Sequence, residues 1–199
     1  MKIVILGAGA LGSVLAGHLK RAGEDVKLAA RGERAKYLKE HGVTITGLVD
    51  FTTPCTVVTD PKSISEADVL IVTVKTYDME SALASVSHLG VSSVLSVQNG
   101  VIKNEQLAKV FGKEKTLGAA AMFSAEMMPE GPVRFTLNQC FYVGELPEGT
   151  SERVRNLVEA LDRSGIHAEA TLQIQTIEWS KFVGWAGLMA LAVLTRLET

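Results

Sequence analysis

Along the first two thirds of the chain, short aliphatic runs alternate with segments whose apolar positions recur at helical spacing. KIVIL (2–6) is apolar after Lys2, the mark of a strand buried on both faces, and residues 10–22 follow as a helix. DVKLAA (25–30) is a second strand, and ERAKYLKEHG (33–42) a charged helix that closes on glycine. VTIT (43–46) and TPCTVVT (53–59) read as short β segments. DVLIVTVK (68–75) is a third aliphatic strand, YDMESALASV (77–86) a helix, SVLSVQ (93–98) a strand and KNEQLAKVFG (103–112) a helix. This rhythm predicts an α/β fold built on a doubly wound parallel sheet.

The pattern then changes. TLGAAAMFSAEM (116–127), PVRFT (132–136) and CFYVGEL (140–146) have only short connections between them. Short connections favour antiparallel neighbours, so these segments are expected to extend the sheet at one edge. SERVRNLVEALDRSG (151–165) is a helix with Thr150 or Ser151 as N-cap, and HAEAT (167–171) a last strand. From Gln173 a single long helix runs to the end. Its stretch FVGWAGLMALAVL (182–194) holds no charge but is 13 residues long, short of the roughly 20 that cross a bilayer. It is expected to be a buried core helix rather than a membrane span. The run IVIL is likewise too short for a signal peptide.

Composition narrows this picture little. The chain has 199 residues, 47% hydrophobic and 21% charged, with a net charge of −2. That balance gives no basic surface for nucleic acid or an anionic membrane. Cys55 and Cys140 form no CxxC pair, so they are expected to be thiols in a reducing cytoplasm. His18, His41, His88 and His167 lack ligand spacing, and no metal site is expected.

The chemistry begins at GAGALG, residues 7–12: Gly7, Ala8, Gly9, Ala10, Leu11 and Gly12. A bare GxGxxG is common, but here it follows a strand and opens a helix, as dinucleotide binding requires. Gly7 permits the turn, Gly9 lets the backbone approach a pyrophosphate, and Gly12 lets helix and strand pack closely. The helix N-terminus offers N–H groups and a positive dipole end to the phosphates. NAD-binding proteins of this kind carry an acid after the second strand, for the ribose 2′-hydroxyl. Here the stretch is LAARGER, and Arg31 stands in that place, with Arg34 as a helper. A guanidinium suits the 2′-phosphate of NADP.

Ligands of open α/β sheets sit beyond the carboxyl ends of the strands. Two further strand ends carry Lys75 and Asn99. Each has a plainer reading: a solvated strand terminus for Lys75, an Asn-Gly turn for Asn99. Lys181, between Trp179 and Phe182, opens the apolar helix. Partial desolvation would make it a general acid near neutral pH. The alternatives are a surface pair with Glu178 or a snorkelling stem.

GAGALG, Arg31, the VKTYD stretch with Lys75, QNG at 98–100 and WSK with Lys181 together resemble the ketopantoate reductases (2-dehydropantoate 2-reductases). The resemblance implies an NADP-binding Rossmann domain, residues 1–172, and the first helix of an all-helical substrate domain, residues 173–199. It implies that the glycine loop holds the pyrophosphate and Arg31 the 2′-phosphate. Lys75 and Asn99 would lie at the nicotinamide end, with Asn99 also touching substrate. Lys181 would bind substrate and act as the catalytic acid in reduction of a 2-oxo acid, 2-dehydropantoate to pantoate in pantothenate biosynthesis. The family pattern places asparagines one and two helical steps after that lysine, where this chain has Trp185 and Met189. A thioether and an indole cannot replace them, which points to a bulkier or less polar oxo compound. The expected helical domain breaks off at Thr199, so residues 182–194 would be bare and would pair two chains into a homodimer. The competing expectation is a non-catalytic module that binds or senses a dinucleotide. A relative acting on 3-hydroxy acids with NAD would carry an acid after the second strand, and none stands there.

Overall fold

The computed structural model describes residues 1–196; the last three positions of the expected helix 173–199 lie outside the described residues. In chain order the elements begin with β1 (Lys2–Leu6), α1 (Ala10–Arg21), β2 (Asp25–Ala29), α2 (Gly32–His41), β3 (Val43–Gly47), β4 (Phe51–Thr53) and β5 (Thr56–Val58). Next come β6 (Glu66–Val72), α3 (Met79–Val86), β7 (Gly90–Ser96) and α4 (Lys103–Phe111). The chain continues through β8 (Leu117–Met127), β9 (Val133–Glu145), α5 (Glu152–Arg163), β10 (Ala168–Ala170) and α6 (Ile174–Thr195).

β1 is the middle strand of a five-stranded parallel sheet ordered β5-β2-β1-β6-β7. Ile3, Val4, Ile5 and Leu6 are all buried, because helices or a second sheet cover both faces. One face packs on α1 and α5, the other on α3 and α4. The chain first winds outward through β2 and β5, then returns to β6 on the other side of β1. The crevice where strand order reverses therefore opens at the carboxyl ends of β1 and β6, where α/β sheets take ligands.

The antiparallel segments adjoin this sheet but form a second one, ordered β10-β9-β3-β4, with β8 paired to β9. A single bridge, Val94 to Thr116, joins the two at β7. PVRFT and CFYVGEL prove to be one 13-residue strand, β9, whose pairing with β8 carries register shifts between Met122 and Phe123 and between Ser124 and Ala125. TPCTVVT splits at Pro54: β4 pairs with β3 in the second sheet, β5 with β2 in the first. Proline cannot donate to a ladder, so it is a natural point at which to leave one sheet for the other.

Two expectations fail. β6 stops at Val72 and β7 at Ser96, short of Lys75 and Asn99, because the apolar run continues into loops. The stretch 182–194 is helical but not buried. Val183 is 66% exposed and Leu194 81%. In α6 only Ile174 and Glu178 are buried. Apolarity predicted a buried neighbour for α6, yet among the described residues it has none beyond its first two turns. By length and composition alone, α6 is also apolar enough to cross a membrane.

Candidate active site

Loops at the carboxyl ends of β1, β2, β6 and β7, together with α6, build the site. The turn after β1 bends at Gly7, whose φ of +117° disfavours any side chain. The Thr73 hydroxyl donates to the Gly7 carbonyl at 2.7 Å, which fixes the turn against the end of β6. A Cβ on Gly12 would strike the Gly7 carbonyl oxygen and the Thr73 hydroxyl, so α1 can lie this close to β1 only with glycine there. A Cβ on Gly9 would meet nothing within 4 Å. Packing within the chain thus accounts for Gly7 and Gly12 but not for Gly9, which faces open space. No side chain caps the N-terminus of α1, and its first turn holds no acid. Uncapped N–H groups beside an unencumbered glycine fit a dinucleotide's pyrophosphate.

Arg31 ends the β2 turn at the N-cap of α2 and is 85% exposed. Its guanidinium reaches Asp78 at 3.3 Å. Arg34, expected to assist it, is instead engaged in structure. Its nitrogens donate to the Ala8 carbonyl at 3.2 Å, the Ser13 hydroxyl at 3.0 Å and the Gly131 carbonyl at 2.5 Å. It braces the glycine loop from behind, and burial pushes its pKa down.

Gln98 links the two remaining loops. Its side-chain amide donates to the Val74 carbonyl at 2.8 Å, beside the exposed Lys75. Asn99, the next residue, is exposed. Asn99 and Lys181 line one cleft, together with Gln98, Phe182 and Trp185. Lys75 and Met189 do not line it. Trp185, one turn beyond Lys181, therefore stands at the cleft wall, whereas Met189, at 39% exposure, points elsewhere.

Lys181 is half-buried and donates to the Ala121 carbonyl of β8 at 2.5 Å. Burial and then the charge of Lys103 push its pKa down to about 8. The surface pair between Glu178 and Lys181 does not form. Glu178 is 4% exposed and turns inward to Lys103, itself 3% exposed, at 3.2 Å. Glu178 also accepts from the Ala119 N–H at 2.9 Å and from the Asn104 amide at 2.6 Å. This buried pair went unread in the sequence. The signal was there: Ile174, Glu178 and Lys181 stand at i, i+4 and i+7, one face of a helix.

The family model ketopantoate reductase PanE/ApbA matches residues 3–148. The 2-dehydropantoate 2-reductase of Archaeoglobus fulgidus is 32% identical over 197 residues, 99% of this chain and 65% of that protein. The solved 2-dehydropantoate 2-reductase of Methylococcus capsulatus superposes with a TM-score of 0.86 at 25% identity, over 98% of this chain and 64% of that one. A D-mandelate dehydrogenase solved with NADH superposes with a TM-score of 0.79 at 26% identity, over 91% and 59%. The chain spans less than two thirds of the length of each of these proteins. With a glycine turn, a guanidinium after β2 and a half-buried lysine on α6, and with a match across most of its length, the chain belongs to the ketopantoate reductase family.

Proposed function

We propose that the protein reduces a 2-oxo acid with NADPH, with 2-dehydropantoate as first candidate and Lys181 as the general acid. The observation that carries this reading is Lys181 itself: an ammonium with a pKa near 8, in a cleft shared with Asn99. Gly7, Ala8, Gly9, Ala10, Leu11 and Gly12 would hold the pyrophosphate, and Arg31 the 2′-phosphate. Lys75 and Asn99 would lie toward the nicotinamide. The coenzyme, when bound, supplies the hydride. Lys181 gives its proton to the substrate's carbonyl oxygen as charge develops there, and recovers one from solvent. Asn99 can donate and accept toward the substrate's polar end. The reading places the reaction in the cytoplasm, where Cys55 and Cys140 stay free thiols.

Lys181→Ala should lower turnover by about a hundredfold or more while leaving coenzyme affinity within roughly twofold. The assay is NADPH oxidation with 2-dehydropantoate and a panel of 2-oxo acids that includes benzoylformate. Benzoylformate belongs there because Trp185 walls the cleft and a D-mandelate dehydrogenase is among the related folds. The acid form of Lys181 prevails below its pKa, so reduction should be fastest below about pH 8. Each further unit of pH should cost about tenfold. Activity surviving the substitution overturns the mechanism.

Trp185 also favours a second reading, a module that binds a dinucleotide without catalysis. Coenzyme binding with no turnover on any 2-oxo acid would support it. We also propose that two chains associate through the bare face of α6, where Val183, Leu191, Val193 and Leu194 are each more than half exposed. Sedimentation of the whole chain as a monomer at micromolar concentration would refute this.

A further inference from the structure

β8 has a free edge, and three charged side chains occupy it. In its pairing with β9, Ala119 faces Val143 and Ala121 faces Phe141. The Val143 carbonyl accepts from Thr171, and the Phe141 N–H donates to His167, so both turn toward β10. Ala119 and Ala121 turn their backbone groups the other way, away from β9. There Lys103 donates to the Ala119 carbonyl at 2.7 Å, Glu178 accepts from the Ala119 N–H at 2.9 Å, and Lys181 donates to the Ala121 carbonyl at 2.5 Å. Carbonyls two residues apart on a strand are about 6.8 Å apart. The strand edge thus works as a ruler that sets the two ammonium groups at a fixed, close spacing.

We propose that Lys103 and Glu178 are positioning residues for Lys181: clipped to the edge of β8, the buried pair sets both where the Lys181 ammonium sits and how readily it gives up its proton. Its catalytic meaning rests on the reading of Lys181 as a general acid; the device itself does not. A buried ion pair adds little to stability by itself, since desolvation offsets the attraction. Glu178 stands one turn before Lys181 and ties α6 to both β8 and the Asn104 side chain of α4. Lys103 is held a second time, by the Gln98 carbonyl at 3.0 Å, next to Asn99 in the cleft. The pair therefore connects both cleft groups to one rigid strand. The two charges of the pair reach Lys181 with little competition from elsewhere. β8 offers only alanines at 119–121, and residues 98–100 carry no charge. β9 meets α6 around Gly144 and Ile174, where Glu145 is already taken by Arg153 at 2.7 Å. Among the described residues no carboxylate lies within salt-bridge distance of Lys181.

The sign of each change follows. Lys103→Met removes a positive neighbour and leaves Glu178 unpaired beside Lys181, so Lys181 should hold its proton to higher pH. Glu178→Gln leaves Lys103 uncompensated, so Lys181 should lose its proton at lower pH. The measurement is the titration of Lys181 in the full chain, followed by NMR after ¹³C reductive methylation of its lysines, with Lys181→Arg to identify the resonance. The wild-type midpoint near 8 should rise by about one unit or more in Lys103→Met and fall in Glu178→Gln. Lys103→Arg should restore the wild-type midpoint. The double variant Lys103→Met/Glu178→Leu replaces the ion pair with an apolar one, and since the two single effects oppose each other its midpoint should lie between those of the single variants. An unchanged midpoint in Lys103→Met, or in the near-isosteric Glu178→Gln should Lys103→Met not fold, overturns the proposal. A midpoint that moves while the pH limb of NADPH oxidation stays put upholds the device and sinks the general-acid reading instead.

Discussion

The two ends of the proposed crevice are made of different materials. At the coenzyme end, backbone does the work: Gly7 turns, Gly12 makes room, and Thr73 and Arg34 hold the turn through its carbonyls. At the reacting end, buried charge does the work: Lys103, Glu178 and Lys181 stand on the edge of one strand. Backbone geometry is demanded by local sequence, because only glycine fits these conformations and close approaches. A buried charge constellation depends on residues 75 and 78 positions apart, Lys103 to Glu178 and Lys103 to Lys181, brought together by the fold. The first end can therefore be inspected one residue at a time, while the second responds only as a unit.

The largest effect should come from breaking the coenzyme end at its tightest point. Gly12→Ala drives a Cβ into the Gly7 carbonyl, and a backbone atom cannot rotate away. A loss of about 3 kcal/mol is expected, read as a fall in Tm of roughly 6–12 °C. Gly9→Ala is the matched control, since its Cβ enters open space at an ordinary φ of −70°. Thermal stability should be unchanged, and coenzyme affinity should fall by about tenfold, as the backbone is held off the pyrophosphate. If both variants melt like the wild type, the close helix–strand packing is wrong. If Gly9→Ala binds coenzyme as before, the phosphates lie elsewhere.

The same contrast explains what could be read before the fold was seen. The parallel sheet was legible because β1, β6 and β7 each end in a run of four consecutive buried residues, the mark of a strand covered on both faces. The second sheet was only half legible. Pro54 hides a change of sheet inside what reads as one β segment, and the irregular pairing of β9 looks like a break in sequence. The glycine loop was legible at Gly7, which turns, and at Gly12, which makes room for the helix. Glu178 entered only as an alternative surface partner for Lys181, because an acid three residues from a lysine on a helix is an ordinary surface pair. What reverses that reading is α4, whose Lys103 presents a buried partner from the other side. Of the two expectations for residues 182–194, a buried core helix and a bare apolar face, the bare face is the one seen, since no neighbour in the described chain covers it.

A middle-sized effect is expected at Arg31, the exposed guanidinium at the coenzyme end. Arg31→Ala should weaken NADPH binding by about tenfold and leave NADH binding within twofold. Equal affinities for the two coenzymes in the unchanged protein would already refute the 2′-phosphate assignment. That outcome has a physical route, since the D-mandelate dehydrogenase of related fold holds NADH.

The smallest effect is the most discriminating, because it tests a competition between neighbours. Asp78 sits 3.3 Å from the Arg31 guanidinium, at the surface. Exposed ion pairs are weak, so a phosphate can displace this one at little cost, yet the carboxylate would still repel it. Asp78→Asn keeps the shape and removes the charge. NADPH should then bind about two- to fourfold tighter, with NADH unmoved and the gain fading at high salt. Should the substitution weaken NADPH instead, Asp78 would be orienting Arg31 for the phosphate rather than competing with it. The coenzyme end would then depend, like the reacting end, on paired charges acting together.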